Sequence, residues 1–345
     1  MEKTVSIEEV LNSRCSCDFD GDPKKNHWGI FEDRHPSDSI LESVLRCVTK
    51  TPQYSKGKLV FWLKDKHLFL GFEKTEDSFD ARLLHIESGM QSEAVYLSCT
   101  ALDIGTCIRN LGINGTEYGD RMATARHVIL ENKASYSDGK TTSAPPGPEK
   151  PMRKGKHLPE PRRSGNTECL SSLDQLTSTQ DNGSRANDFD VSQMLWAAKG
   201  RTPHYVKSHP WGLTIPTMGG GQNYTSVYLV RGKKLYAYVN WTTLRYLSGT
   251  GRLFSWWVLG NPTHDIRSAG DVKAPFALEN EASGIILCRN EKTNRGLWEV
   301  GYMLENMLLQ AKSLGISYRL RVFKEDEIEK WEKEKPSEPV AALLL

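Results

Sequence analysis

"ESGMQSEAVYLSCTALDI" (87–104) and "EVGYMLENMLLQAKSLGI" (299–316) align without a gap, with six identical positions: Glu87/Glu299, Gly89/Gly301, Glu93/Glu305, Leu97/Leu309, Leu102/Leu314 and Ile104/Ile316. At average residue frequencies a stretch of this length supplies about one identity by chance. Both copies carry the apolar spacing of a helix with one buried face. Val300, Met303, Leu304, Met307, Leu308, Ala311 and Leu314 recur at helical intervals, and Met90, Ala94, Leu97 and Ala101 do the same in the first copy. Gly105 and Gly315 stand near the helix ends, where glycine relieves a left-handed terminal residue. The chain therefore reads as two copies of one unit, each built on a long core helix.

A shorter match agrees in order. "VLRCVTKTPQYSK" (44–56) returns as "MLWAAKGRTPHYVK" (194–207): a short amphipathic helix followed by Thr-Pro-x-Tyr-x-Lys. The distance between the two matches is about 60 residues longer in the second copy, which thus holds a block that the first lacks. Strands are predicted at 58–63, 67–72, 226–230, 234–240 and 283–290, with a hairpin turning at Arg231-Gly232-Lys233. The fold class expected is α+β, two such units forming an intrachain pseudo-dimer of antiparallel-rich sheet and long central helices. The units are bounded at 1–134 and 189–330. Residues 135–188, rich in Pro, Ser and basic side chains, read as a disordered linker, and 331–345 as a tail that either docks on a partner or frays.

Composition narrows the partners. Of 345 residues, 45 are Lys or Arg and 43 Asp or Glu, so no whole-chain field points to nucleic acid; the linker's Pro-interrupted basic cluster reads as solvated. No run approaches the ~20 apolar residues that span a bilayer, and the N-terminus lacks the layout of a signal peptide, which predicts a cytoplasmic protein without a membrane partner. Seven scattered cysteines suit reduced thiols. No P-loop, zincin or nucleophile-elbow pattern is present, and Cys15, Cys17, His27 and His35 lack zinc-finger spacing, so no metal is expected.

The stretch "MLWAAKGRTPHYVKSHPWGLTIPTMGGGQNYTSVYLVRGKKLYAYVN" (194–240) resembles the first half of the flavin-dependent nitroreductase-like fold, most closely its azoline-forming peptide dehydrogenase branch. There a "LLWAA-G" helix leads to a "PS-G" turn and a hairpin. "RGLWEVGYMLENMLLQAKSLGI" (295–316) is similar to that family's second helix, "SEAVYLSCTALDIGTCI" (92–108) is similar in the first copy, and "SIEEVLNSRCSCDFDGD" (6–22) resembles its opening. Members are intertwined homodimers with FMN at the interface. The resemblance thus implies a duplicated pseudo-dimer acting as an FMN-dependent oxidoreductase on a small electrophile or peptide-derived ring, with NAD(P)H as electron donor and room for further oligomerisation. The other reading is a degenerate, non-catalytic member that binds a ligand or partner.

Carried over by position, the resemblance places Arg14 and Ser16 at the flavin phosphate, where a guanidinium fork and a hydroxyl suit a phosphomonoester. The family's last arginine of that cluster is Asp18 here, whose carboxylate would repel a phosphate, and the other reading is that Arg14 and Ser16 simply end an N-terminal helix. Thr217, Gly219, Gly220, Gly221, Gln222 and Asn223 match the glycine turn, with backbone N–H groups and amide side chains for the ring edge. The same run also serves as a plain turn into a hairpin strand. Arg319, after the second long helix, either reaches the phosphate or lies on a polar strand face. No catalytic side chain is required, since the flavin carries the hydride.

Overall fold

The computed structural model describes residues 4–14, 30–31, 36–64, 67–109, 116–130, 133–135, 155–202, 212–216, 224–240, 264–278, 282–332 and 337–345. In chain order it begins with α1 (Ile7–Ser13), β1 (Ile30–Phe31), α2 (Asp38–Thr49), β2 (Leu59–Lys64), β3 (His67–Glu73) and α3 (Ser78–Ala101). There follow β4 (Gly105–Arg109), β5 (Thr116–Tyr118), β6 (Arg121–Leu130), β7 (Lys133–Ser135), β8 (Gly155–His157), α4 (Cys169–Leu173), β9 (Thr179–Gln180) and α5 (Asp188–Lys199). The chain continues through β10 (Arg201–Thr202), β11 (Gly212–Leu213), β12 (Thr225–Arg231), β13 (Lys234–Val239), β14 (Asp265–Asp271) and β15 (Ser283–Arg289). It closes with α6 (Asn294–Leu314), β16 (Tyr318–Val322), α7 (Glu325–Glu332) and β17 (Glu338–Leu344).

Two antiparallel sheets sandwich the helices. The first runs β2-β3-β6-β4, with β5 also on β6; the second runs β8-β14-β13-β12-β15-β17-β16-β9. Inside these orders lies one path used twice. In the first, β3 feeds α3, the chain returns as β4, and β6 inserts antiparallel between β3 and β4. In the second, β15 feeds α6, the chain returns as β16, and β17 inserts antiparallel between β15 and β16. β2 flanks β3 as β12 flanks β15. The second sheet alone continues outward through β13, β14 and β8.

The predicted long helices are α3 and α6, and the residues singled out for their buried faces pack into one apolar cluster reaching from α1 to β17. Asp77 caps α3 by accepting from the Asp80 N–H, and Gly315 ends α6 in the left-handed region, φ 64°. The hairpin turns at Gly232 and Lys233, with Arg231 opposite Lys234 and Gly232 at φ 55°. Nothing lies within 4 Å of a Cβ added there, so Gly232→Ala is expected to cost only backbone strain, about 1 kcal/mol, measurable by chemical denaturation.

The sequence misplaced two segments. Residues 155–188 were expected in the linker, yet Leu158, Leu173 and Leu176 are buried in the core. Arg162 and Arg163, read as solvated, are anchors: Arg162 pairs with the buried Glu8 at 2.7 Å, and the Arg163 guanidinium lies 4.7 Å from the Trp196 ring centre. Sparse apolar residues hide such docking, because the surface they bury belongs to other elements. Only residues 136–154 of that stretch lie outside the described residues. The expected tail instead supplies β17, seated between β15 and β16 with Val340, Ala341 and Leu343 fully buried. A continuous apolar run of that length is the mark of a strand covered on both faces. Trp331 and Ile328 on α7 cover a second apolar cluster on the outer face of the larger sheet. Among the described residues no helix is long and apolar enough to cross a membrane.

Candidate functional site

α3 and α6 meet at the repeated glycines. A Cβ on Gly301 would sit 2.1 Å from the Ile86 carbonyl oxygen and 2.8 Å from the Gly89 Cα; one on Gly89 would sit 2.4 Å from the Trp298 carbonyl oxygen. Backbone touches backbone, which only glycine permits. The repeated glutamates flank this crossing. Two residues before it, Glu87 accepts from the Tyr54 and Ser55 backbone N–H groups and from the Ser55 hydroxyl, holding the segment that enters β2. At the equivalent place Glu299 accepts from the Thr225 hydroxyl at 3.0 Å, holding the first residue of β12. Lys199 completes that clamp, donating to the Thr225 hydroxyl and carbonyl at 2.7 and 2.8 Å; burial pulls its ammonium down to about 8, against the opposing pull of Glu299.

Four residues beyond the crossing, Glu93 and Glu305 are both completely buried. Neither carboxyl finds a hydrogen-bond partner among the described residues, although Arg14 Nε lies 3.9 Å from Glu93 Oε1. Burial pushes Glu93 up to about 8 in spite of Arg14 and Asn306, which act the other way. Burial, reinforced by Glu93, pushes Glu305 well above the ordinary carboxyl range.

Arg14 follows α1 and turns inward, 4% exposed. Nε donates to the Thr214 carbonyl at 2.9 Å, Nη2 to the Leu213 carbonyl at 2.7 Å, and the guanidinium lies 5.4 Å from the Tyr96 ring centre. Asn306 on α6 donates to the same Thr214 carbonyl at 3.1 Å and to the Ala197 carbonyl at 3.3 Å. Segment 212–216 is thus fastened to α1 and α6 just before the glycine run. On the far side, Tyr224 is 4% exposed; its hydroxyl accepts from Arg295 Nη1 at 2.9 Å, and its carbonyl from the Asn290 N–H. The described residues on either side of 217–223 are therefore pinned into the core.

Ser16, Thr217, Gly219, Gly220, Gly221, Gln222 and Asn223 lie outside the described residues. Arg319 is exposed on β16, in register with Leu344 and Thr179. The phosphate fit can be tested at Arg14. Two of its nitrogens are committed to carbonyls, whereas Nη1 is a buried donor without a partner among the described residues. Because Glu93 holds its proton up to about pH 8, the arginine's charge is not cancelled at neutral pH. Nη1 is thus a donor that an added acceptor would meet, on a guanidinium enclosed in the core.

Sequence reasoning took Glu93, Glu299 and Asn306 as part of a core helix and missed that Lys199 is buried beside Glu299 and Glu93 beside Arg14. The signal was present: a glutamate amid the apolar face of a long helix, at the same position of the 18-residue match, is costly to bury unless it is used.

One hydrogen-bonded array looks catalytic and is closed. Ser192 Oγ lies 2.8 Å from His264 Nε2, and the Tyr238 hydroxyl lies 2.8 Å from His264 Nδ1. Ser192 donates its own proton to the Pro159 carbonyl at 2.6 Å, so the imidazole is the donor to serine and the acceptor from tyrosine. Burial pulls His264 down to about 3, with Arg163 adding to the shift. A neutral imidazole already donating to the serine cannot take its proton, and the array is structural.

No family model matches the chain, and no curated protein matches it. It is similar to crystal structures of three proteins, each described as a "putative nitroreductase". The one from Ralstonia eutropha is 19% identical, with 59% of this chain and 94% of that chain covered and a TM-score of 0.40. The one from Anabaena variabilis is 10% identical, covering 89% and 73%, with a TM-score of 0.49. The one from Thermotoga maritima is 10% identical, covering 99% and 95%, with a TM-score of 0.39.

Proposed function

We propose that this chain is an intrachain pseudo-dimer of two nitroreductase-like units that works as an FMN-dependent oxidoreductase on a small electrophile or peptide-derived ring. The observation that carries the reading is the doubled path: the same strand order and the same helix, crossing its counterpart at Gly89 and Gly301. A dimeric fold with cofactor between its subunits is thereby condensed into one chain. Arg14 would hold a phosphate oxygen through Nη1, and the 217–223 stretch, pinned at Thr214 and Tyr224, would meet the ring edge through Gln222 and Asn223. When bound, the flavin supplies the hydride chemistry. The residues of this chain position it, and the carboxyl of Glu93 stays protonated beside the phosphate contact so that no second anion opposes it. Asp18 and the depth of Arg14 favour the second reading, a degenerate member that binds a ligand or partner without turnover.

The visible spectrum of the purified protein separates the two. Flavin absorbance, released as FMN on denaturation, is expected. Arg14→Lys, which keeps the charge but loses the planar fork, is expected to lower FMN content at least tenfold, and Gln222→Ala with Asn223→Ala to lower it further. A colourless protein that takes up no added FMN leaves the degenerate reading standing.

A further inference from the structure

The first sheet stops where the second goes on. β12 is covered on its outer side by β13, then β14 and β8, whereas its counterpart β2 ends its sheet among the described residues. The strand left at that edge is apolar. Leu59, Phe61 and Leu63 share one face, and Leu59 is buried with Phe72 and Leu84. Phe61 and Leu63 overhang the edge at 37% and 51% exposure, two of the three large apolar side chains exposed among the described residues. Their neighbours across the ladder, Leu70 and Leu68, are fully buried, so the apolar face of the sheet runs out to its border.

Charge identifies what would complete it. Lys56 and Lys58 precede the strand and Lys64 ends it, all exposed. Lys58 meets Glu73 at 3.1 Å with its side chain 71% exposed, a pair that solvent screens. On the other face Arg121 lies 5.8 Å from the Trp62 ring centre. A second copy of β2 is a poor fit. An antiparallel pairing centred on Phe61 sets Lys58 opposite Lys64 twice, and one centred on Trp62 still leaves these lysines within two residues of each other. An extended segment with acidic residues alternating with apolar ones answers both features: its carboxylates meet the lysines and its apolar side chains extend the face of Phe61 and Leu63. We propose that the edge of β2, which pairs with β3 alone among the described residues, takes an extended acidic polypeptide segment as an added antiparallel strand. The proposal does not rest on flavin chemistry.

The test uses the full chain and a fluorescein-labelled peptide of alternating glutamate and valine, read by fluorescence anisotropy. The peptide is expected to bind at least tenfold tighter than its lysine–valine counterpart at low salt, to weaken as salt rises, and to lose binding when alternate amides are N-methylated, which blocks strand pairing. Phe61→Glu with Leu63→Glu, at exposed positions that leave the fold intact by circular dichroism, is expected to weaken binding at least tenfold. Equal binding of the acidic, basic and N-methylated peptides overturns the proposal. So does a self-associated chain that this double variant renders monomeric, since the edge would then belong to a second copy.

Discussion

Gly301→Ala is expected to melt far below the wild type, and Gly301→Val lower still. The added Cβ would stand 2.1 Å from the Ile86 carbonyl oxygen and 2.8 Å from the Gly89 Cα. Both are main-chain atoms inside α3, so no rotamer change relieves the clash. The helices must separate, and both contribute to the large apolar core cluster. Overpacking in a well-filled core costs about 1–3 kcal/mol and occasionally more, and here the strain falls on two helix backbones, so about 3 kcal/mol or more is expected. Against a total of roughly 5–15 kcal/mol for a typical domain that loss is severe. Gly315→Ala is the control: its glycine also ends α6, at φ 64°, but an added Cβ meets nothing within 4 Å, so about 1 kcal/mol is expected. Thermal denaturation followed by far-ultraviolet circular dichroism distinguishes them. A Gly301→Ala protein that melts with the wild type would mean that α3 and α6 do not cross where the structure places them.

That crossing is also where the sequence was most legible. Six identities in an 18-residue match marked Gly89 and Gly301 as equivalent, and the five strands and the hairpin read from β-branched and aromatic runs appear as β2, β3, β12, β13 and β15. These signals are local: helical period, turn glycine and alternating burial are written in adjacent residues. What escaped was non-local. Arg163 packs on Trp196, Leu158 on the central core, and β17 on β15, with Ala341 opposite Leu287, and nothing adjacent in sequence announces a partner so distant. The site was half legible for the same reason. Arg14 was singled out for its chemistry, but its hold on Leu213 and Thr214, which ties the N-terminal segment to the entry of the glycine run, spans about 200 positions.

Glu305→Met is expected to raise stability, and by more at pH 9 than at pH 5. Glu305 and Glu93 are buried carboxyls without hydrogen-bond partners among the described residues, and each is pushed upward, Glu93 to about 8. In the unfolded chain both return to the ordinary carboxyl value, near 4.5. Between about pH 4.5 and 8 the folded state therefore keeps protons that the unfolded state gives up. Rising pH then favours unfolding: the stability these carboxyls contribute is whole below about 4.5 and lost as pH passes through about 8. Arg14 relieves Glu93 in part, whereas Glu305 is raised by burial and further by Glu93. Methionine keeps the length of glutamate without the buried acid, and replacing buried ionisable groups by apolar ones of similar volume commonly gains about 1–4 kcal/mol. A gain of about 2 kcal/mol at pH 7 is expected, with a shallower fall of stability from pH 5 to 8 than in the wild type. Glu93→Gln in the same background should flatten most of what remains. Denaturant titrations at pH 5, 7 and 9 measure both effects. A Glu305→Met chain that is less stable at every pH would show that this carboxyl is satisfied in solution by a partner and serves the site rather than straining the helix crossing.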